Sequence, residues 1–248
     1  MSAWLEPLRQ VLDSAPGRVE LFFRDDDAGW ADERLQALLA LFERHATPLD
    51  LAVIPDALGT VLARQLSTRL RDAPSLLGVH QHGYAHSNHE IAGRKCEFGA
   101  ARSREEQRRD LAAGAQILRE QFGPRLDPIF TPPWNRCSAA TVECLLELDY
   151  RALSRDRSAA PLDTRGLREI PVDVDWCKSF DSQSTLQALG RTLATAAASG
   201  RPAGVMLHHA VMTDAQLEPL GELLRLLSRH PASRCRPMRE LAVQCRSH

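Results

Sequence analysis

The 248-residue chain is 44% hydrophobic and 25% charged, with a formal net charge of −1. That is the balance of a soluble globular protein, and it gives no electrostatic case for nucleic acid or an anionic membrane as partner. No apolar run of about eighteen residues is present to span a bilayer, and Glu6, Arg9 and Asp13 interrupt the start of the chain, so no secretory core forms there; the expectation is a cytoplasmic protein whose six cysteines are reduced.

In chain order, short apolar runs alternate with segments of helical period. VELFFRDDD (19–27) reads as a buried strand running into three carboxylates, and Leu35, Leu38, Leu39 and Phe42 then recur at helical spacing. LDLAVIP (49–55) is a second strand, followed by a helix on Leu58, Val61, Leu62 and Leu66. SLLGVHQH (75–82) is a third strand, and it opens directly into HQHGYAHSNHE (80–90), where four of the nine histidines fall within eleven residues.

A helix on Leu111, Ala115, Leu118 and Phe122 is stopped by Gly123-Pro124, and DPIFTPP (127–133) is a strand cut off by prolines. Val142, Leu145 and Leu146 mark a helix, YRALS (150–154) a strand, and REIPVDVDW (168–176) is read as one further strand. Leu186, Leu189 and Leu193 are helical, AGVMLHH (203–209) is a strand ending in two histidines, and Leu217, Leu220, Leu224 and Leu227 close the series with a helix. About seven strands alternating with helices predict one α/β domain over residues 1–248, built on a mostly parallel sheet or barrel.

The polar clusters Asp25–Asp27, His80–His89, Thr131–Arg136, Asp173–Trp176 and His208-His209 all fall at the C-terminal ends of predicted strands. In a parallel barrel those strand ends share one rim, so residues distant in sequence converge there. His82 and His86, four apart, suit one metal ion, with His80 and His89 as alternative ligands or supporting groups. The Asp25–Asp27 run offers a third, hard ligand and an adjacent general base, two tasks that need separate carboxylates.

In that order, FFRDDDAG, HGYAH, TPPWNR, DVDW and MLHH resemble the five motifs of the NodB-type polysaccharide deacetylases (carbohydrate esterase family 4), over residues 19 to 240. The resemblance implies a distorted (β/α)7 barrel and a hydrolase that removes an N-acetyl or related acyl group from an amino sugar or small sugar conjugate. It implies a divalent ion, zinc by default, held by Asp27, His82 and His86. Asp26 is then the base, with Asp25 as alternative, and His208 the acid, with His209 as alternative. The Trp134 N–H is the implied oxyanion donor.

The family's third motif opens with an Arg that orients the base; Thr131 stands there, and Arg136 or Arg24 is the candidate replacement. The fourth-motif carboxylate is Asp173 or Asp175. Trp134, Arg136, Asp175 and Trp176 are expected to contact a glycan or small-molecule substrate. Two other readings stay open: a degenerate glycan-binding domain, for which the missing Arg speaks, and a metal-dependent phosphohydrolase.

Overall fold

The computed structural model describes residues 2–177 and 183–243. Helix α1 (Glu6–Ser14) precedes strand β1 (Val19–Ala28), and the alternation continues through α2 (Asp32–Arg44), β2 (Leu49–Val53), α3 (Thr60–Asp72) and β3 (Leu77–His82). Next come α4 (Arg104–Phe122), β4 (Leu126–Thr131), α5 (Ala139–Glu147) and three two-residue strands, β5 (Ala152–Leu153), β6 (Arg168–Glu169) and β7 (Val174–Asp175). Helix α6 (Gln183–Ala197), β8 (Ala203–Leu207), α7 (Asp214–Arg229), β9 (Ser233–Cys235) and α8 (Met238–Val243) complete the chain.

The strands form one sheet ordered β6-β5-β4-β3-β2-β1-β8-β7, with β9 added beside β1, and every pairing is parallel. Helical connections between parallel neighbours curl this sheet into a distorted, open (β/α)7-type barrel. The opening lies between β6 and β7, where REIPVDVDW was expected to be a single strand. Pro171 has no N–H to donate and interrupts the ladder; Val172 still bridges Asp156, and from Asp173 onward the chain pairs with β8 instead. The first part of the run thus pairs with β5 and the second with β8, at opposite ends of the sheet.

The predicted helices bury the stripes read from the sequence. Leu35, Leu38, Leu39 and Phe42 of α2 and Leu111, Ala115, Leu118 and Phe122 of α4 all face the core, and Gly123 ends α4 in a positive-φ conformation. Two expected core positions, Val61 and Leu146, are exposed instead. Helix α1 and the short β9 carried no clear sequence signal.

The alternation of side chains along β1 positions the site. Leu21 and Phe23 point outward into the layer under the helices, whereas Phe22 points into the barrel with Ile129, Val172 and Met206. Arg24 and Asp26 continue the inward face of Phe22, and Asp25 falls on the outward face. Asp27 breaks the alternation: it has φ 69°, and the β1–β2 register shifts between Asp25 and Ala28. Helix α8 closes the other end of the barrel with Met238 and Leu241. Among the described residues no helix is long and apolar enough to cross a membrane.

Candidate metal and catalytic site

At the rim, Asp27 Oδ1 lies 3.2 Å from His82 Nε2 and 3.2 Å from His86 Nε2. His82 ends β3 with its side chain buried, and Nδ1 is 3.0 Å from the Thr131 carbonyl, which makes Nδ1 the protonated nitrogen. The Nε2 lone pair of neutral His82 therefore faces a carboxylate oxygen. Two acceptors so placed need a positive centre between them, a proton or a metal ion.

The titration tendencies agree. Burial opposes ionisation of Asp27, but the His82 hydrogen bond and the nearby histidine charges outweigh it and hold the carboxyl at about 2. Burial likewise opposes protonation of His82, yet Asp27 and Asp26 raise it above its ordinary value. Burial and the His82 charge push His86 down to about 4, leaving it neutral and free to ligate. Two imidazoles and one carboxylate suit zinc and related divalent transition metals, so the residues present fit such an ion.

Asp26 sits beside this triad but is engaged differently. Arg24 Nε donates to Asp26 Oδ1 at 2.7 Å and Nη2 to Oδ2 at 2.9 Å, a bidentate clamp that is fully buried. Arg24 is itself fixed by Ser154 Oγ at 2.7 Å and Asn135 Oδ1 at 2.9 Å. Burial pushes the Asp26 carboxyl up, but the charges of Arg24, His82 and His208 prevail, and it lies below its ordinary value. The cation missing at Thr131 is thus supplied from two residues upstream on β1. Arg136 points elsewhere, donating to the Lys95 carbonyl at 3.0 Å.

Of the paired histidines, His208 faces the site, with Nε2 3.9 Å from Asp26 Oδ2 and 24% of its side chain exposed. His209 is on the opposite face of the strand, where its Nδ1 meets Asp25 Oδ2 at 2.6 Å and its Nε2 donates to the Trp30 carbonyl at 2.7 Å. Burial disfavours the imidazolium, but Asp25 raises its pKa to about 9. Asp25 also accepts the His209 N–H at 2.9 Å, so Asp25 and His209 form a buried ion pair behind the rim.

The HGYAH loop is shaped by Glu97, whose carboxylate accepts the N–H groups of Ala85 at 2.8 Å and Tyr84 at 3.2 Å. A Cβ on Gly83 would collide with Glu97 Oε2 and come within 2.6 Å of Pro133, so only glycine fits the turn. His86, at φ 55°, is held between two aromatic rings, Trp134 at 4.4 Å and Trp30 at 4.9 Å between centroids. Lys95 Nζ lies 5.9 Å from the Trp134 ring centre. Trp134 and Asn135 are both left-handed, and no acceptor among the described residues takes the Trp134 N–H.

Other expectations are corrected by position. Trp176 is only 1% exposed, stacked edge-on with Trp4 and donating to the Gln216 carbonyl at 3.3 Å, so its ring belongs to the core and cannot stack on a sugar. His80 lies on β3 two residues before His82, 2.9 Å from Thr131 Oγ1, and burial holds its pKa near 3. His89 is exposed on the loop. Asp173 is spent on Arg157 and on the Gly204 N–H at 2.9 Å, whereas Asp175 shares a cluster with Cys177 and His208. Trp30, Glu97, Asn135 and Ser154 were not anticipated, although Trp30 directly follows the Asp25–Gly29 stretch, Asn135 lies within TPPWNR and Ser154 ends the predicted strand YRALS.

No protein-family profile matches the chain, and no curated protein matches it. Solved structures do. A Mycobacterium smegmatis protein assigned as a polysaccharide deacetylase matches with TM-score 0.67 and 16% identity, over 92% of this chain and 91% of that one. A Clostridium thermocellum family 4 acetyl xylan esterase, in complex with a cobalt ion, matches with TM-score 0.58 and 12% identity over 90% of each chain. A family 4 pseudoenzyme from Bacillus anthracis matches with TM-score 0.61 and 15% identity, over 92% of this chain and 66% of that one. At such identities the likeness establishes the fold, which is that of the NodB-type polysaccharide deacetylases and family 4 carbohydrate esterases.

Proposed function

We propose that this chain is a metal-dependent hydrolase that removes an N-acetyl or related acyl group from an amino sugar or small sugar conjugate. The observation that carries the reading is the grouping of Asp27, His82 and His86 around one point, with Arg24-clamped Asp26 and His208 beside it. A divalent ion held there, zinc by default, would polarise the acyl carbonyl and lower the pKa of the attacking water.

The chain's own residues do the rest. Asp26, kept ionised by Arg24, takes the proton of the water that attacks the carbonyl carbon. The Trp134 N–H donates to the developing oxyanion; one such donor is worth roughly 3 kcal/mol. His208 in its protonated form gives its proton to the leaving amine, with a carboxylate oxygen of Asp175 within 4.8 Å of its ring. Trp30 and Trp134 form an apolar lip on which a sugar face can lie. A degenerate binding domain loses its main support because Arg24 sits where it can replace the missing cation, and among the described residues nothing resembles the helical fold or phosphate cradle expected of a phosphohydrolase.

The test is acetate release from N-acetylated amino sugars by the zinc-loaded protein, with Asp26→Asn as comparison. The wild type should turn over. Asp26→Asn should keep its metal while turnover falls by about 10²–10⁴, the usual effect of a lost general base. Metal loss in Asp26→Asn would make Asp26 a ligand, and unchanged turnover would remove it as the base.

A further inference from the structure

Strands β7 and β8 bring a second donor set to the rim. Val174 pairs with Val205 and Asp175 with Met206, so two residues further along each strand Cys177 comes opposite His208. Asp175, Cys177, Met206 and His208 share one parity, and Met206 lies inside the barrel. The turn after β7 locks the first two together: the Cys177 N–H donates to Asp175 Oδ1 at 3.0 Å, and Cys177 Sγ is 3.8 Å from the His208 carbonyl. A carboxylate oxygen of Asp175, Cys177 Sγ and a ring nitrogen of His208 all lie within 4.8 Å of one another.

We propose that Asp175, Cys177 and His208 form a second, thiolate-containing site for a soft divalent cation, and that filling it switches off proton donation by His208. The inhibitory half rests on the function proposed above; the binding half does not. An ion bound at roughly 2.0–2.3 Å sets its ligands about 3.3–3.8 Å apart, a spacing that small side-chain rotations reach from here. The donor types separate this site from the first. Sulfur favours zinc, cadmium and cobalt over manganese, whereas Asp27, His82 and His86 offer no sulfur. On ligation the Cys177 thiol releases its proton to solvent. His208 gives a ring lone pair to the cation and can no longer carry two ring protons. Whichever nitrogen binds, the imidazolium needed for the leaving amine is lost. Excess zinc would then inhibit an enzyme that one equivalent activates.

Cobalt(II) titration of the full-length protein reads the site directly, because a thiolate ligand gives a charge-transfer absorption in the near ultraviolet. The first equivalent should add no such band and the second should. The band should persist in the His82→Ala/His86→Ala double variant and vanish in Cys177→Ser and in Cys177→Ala. No band at several equivalents, or one untouched by either Cys177 substitution, overturns the site. A band at the first equivalent supports the thiolate site but overturns the metal assignment under the proposed function, so the two failures are distinguishable. In turnover assays a zinc excess should inhibit the wild type at least tenfold, whereas a manganese excess should not. Cys177→Ser should be active at one equivalent and escape the zinc inhibition. Equal inhibition in that variant overturns the regulatory role.

Discussion

Arg24 and Asp26 show how one buried cation sets the chemistry of a carboxylate. Burial pushes the Asp26 carboxyl up, and the charges of Arg24, His82 and His208, with the bidentate guanidinium foremost, bring it below its ordinary value. Replacing Arg24 with Met should therefore raise the Asp26 pKa and move the acid limb of the pH–rate profile upward, with metal still bound. Arg136→Ala should leave that limb in place, because its guanidinium reaches the Lys95 carbonyl and not Asp26. A profile that shifts only in Arg136→Ala would reassign the role. Behind the rim, the imidazolium of His209 is favoured by Asp25, with a pKa of about 9 against the ordinary 6.5. A raised folded-state pKa gives stability that is complete below about pH 6.5 and lost as pH rises through 9; for this shift it amounts to about 3 kcal/mol. Denaturant unfolding of the wild type across that window should show the decline, and His209→Gln should be less stable at pH 6.5 with a flatter profile. An unchanged slope would show that the pair does not carry it.

At the scale of elements, helix α8 seals the end of the barrel opposite the site through a pair of buried acids. The Met238 N–H donates to Asp50 Oδ2 at 2.9 Å, while Asp50 Oδ1 and Asp127 Oδ2 converge on the space that a Cβ of Gly78 would fill. Burial and the facing Asp127 charge push Asp50 up to about 8, and burial pushes Asp127 up to about 6, against the pull of Arg239. A protonated Asp50 can donate to Asp127, giving a hydrogen-bond partner to two oxygens that have none, although the Arg239 guanidinium lies 3.6 Å from Asp127 Oδ2. The folded state thus binds a proton that the unfolded chain has released, and stability falls as pH rises from about 4 to 8. Asp50→Asn keeps the acceptor for Met238 and supplies a permanent donor toward Asp127, so unfolding experiments should show that this decline shrinks. A steeper decline would contradict the shared proton.

The same elements show what the sequence could carry. Helices α2 and α4 were legible because one face is apolar and the other charged. Strand β1 was legible as a strand but not in its parity: both of its faces are buried, Phe22 and Phe23 look alike, and nothing in RDDD says which Asp points inward. Which of Asp25 and Asp26, and which of His208 and His209, faces the barrel turns on that parity, and the parallel pairing of Arg24 with Met206 sets both together. Trp176 was misplaced because a Trp beside a polar strand end looks the same whether it lines a mouth or fills a core. Glu97 was invisible because it works through backbone N–H groups that leave no mark on the sequence.

Across the whole molecule, the five polar segments meet because parallel strands deliver their C-terminal ends to one rim. Asp27 is separated from His82 and His86 by more than fifty residues of chain, yet its Oδ1 lies 3.2 Å from both rings. That these side chains meet was therefore readable from strand order and spacing, while which of their neighbours face the same point needed the geometry. The most direct measurement is a crystal structure of the protein loaded with one equivalent of zinc, with the ion located by its anomalous scattering. One peak at about 2.0–2.2 Å from Asp27, His82 and His86 is predicted, with Asp26 and His208 outside bonding distance. A peak ligated by Asp26, or one seated on Asp175, Cys177 and His208 while the Asp27 triad stays empty, would contradict the account.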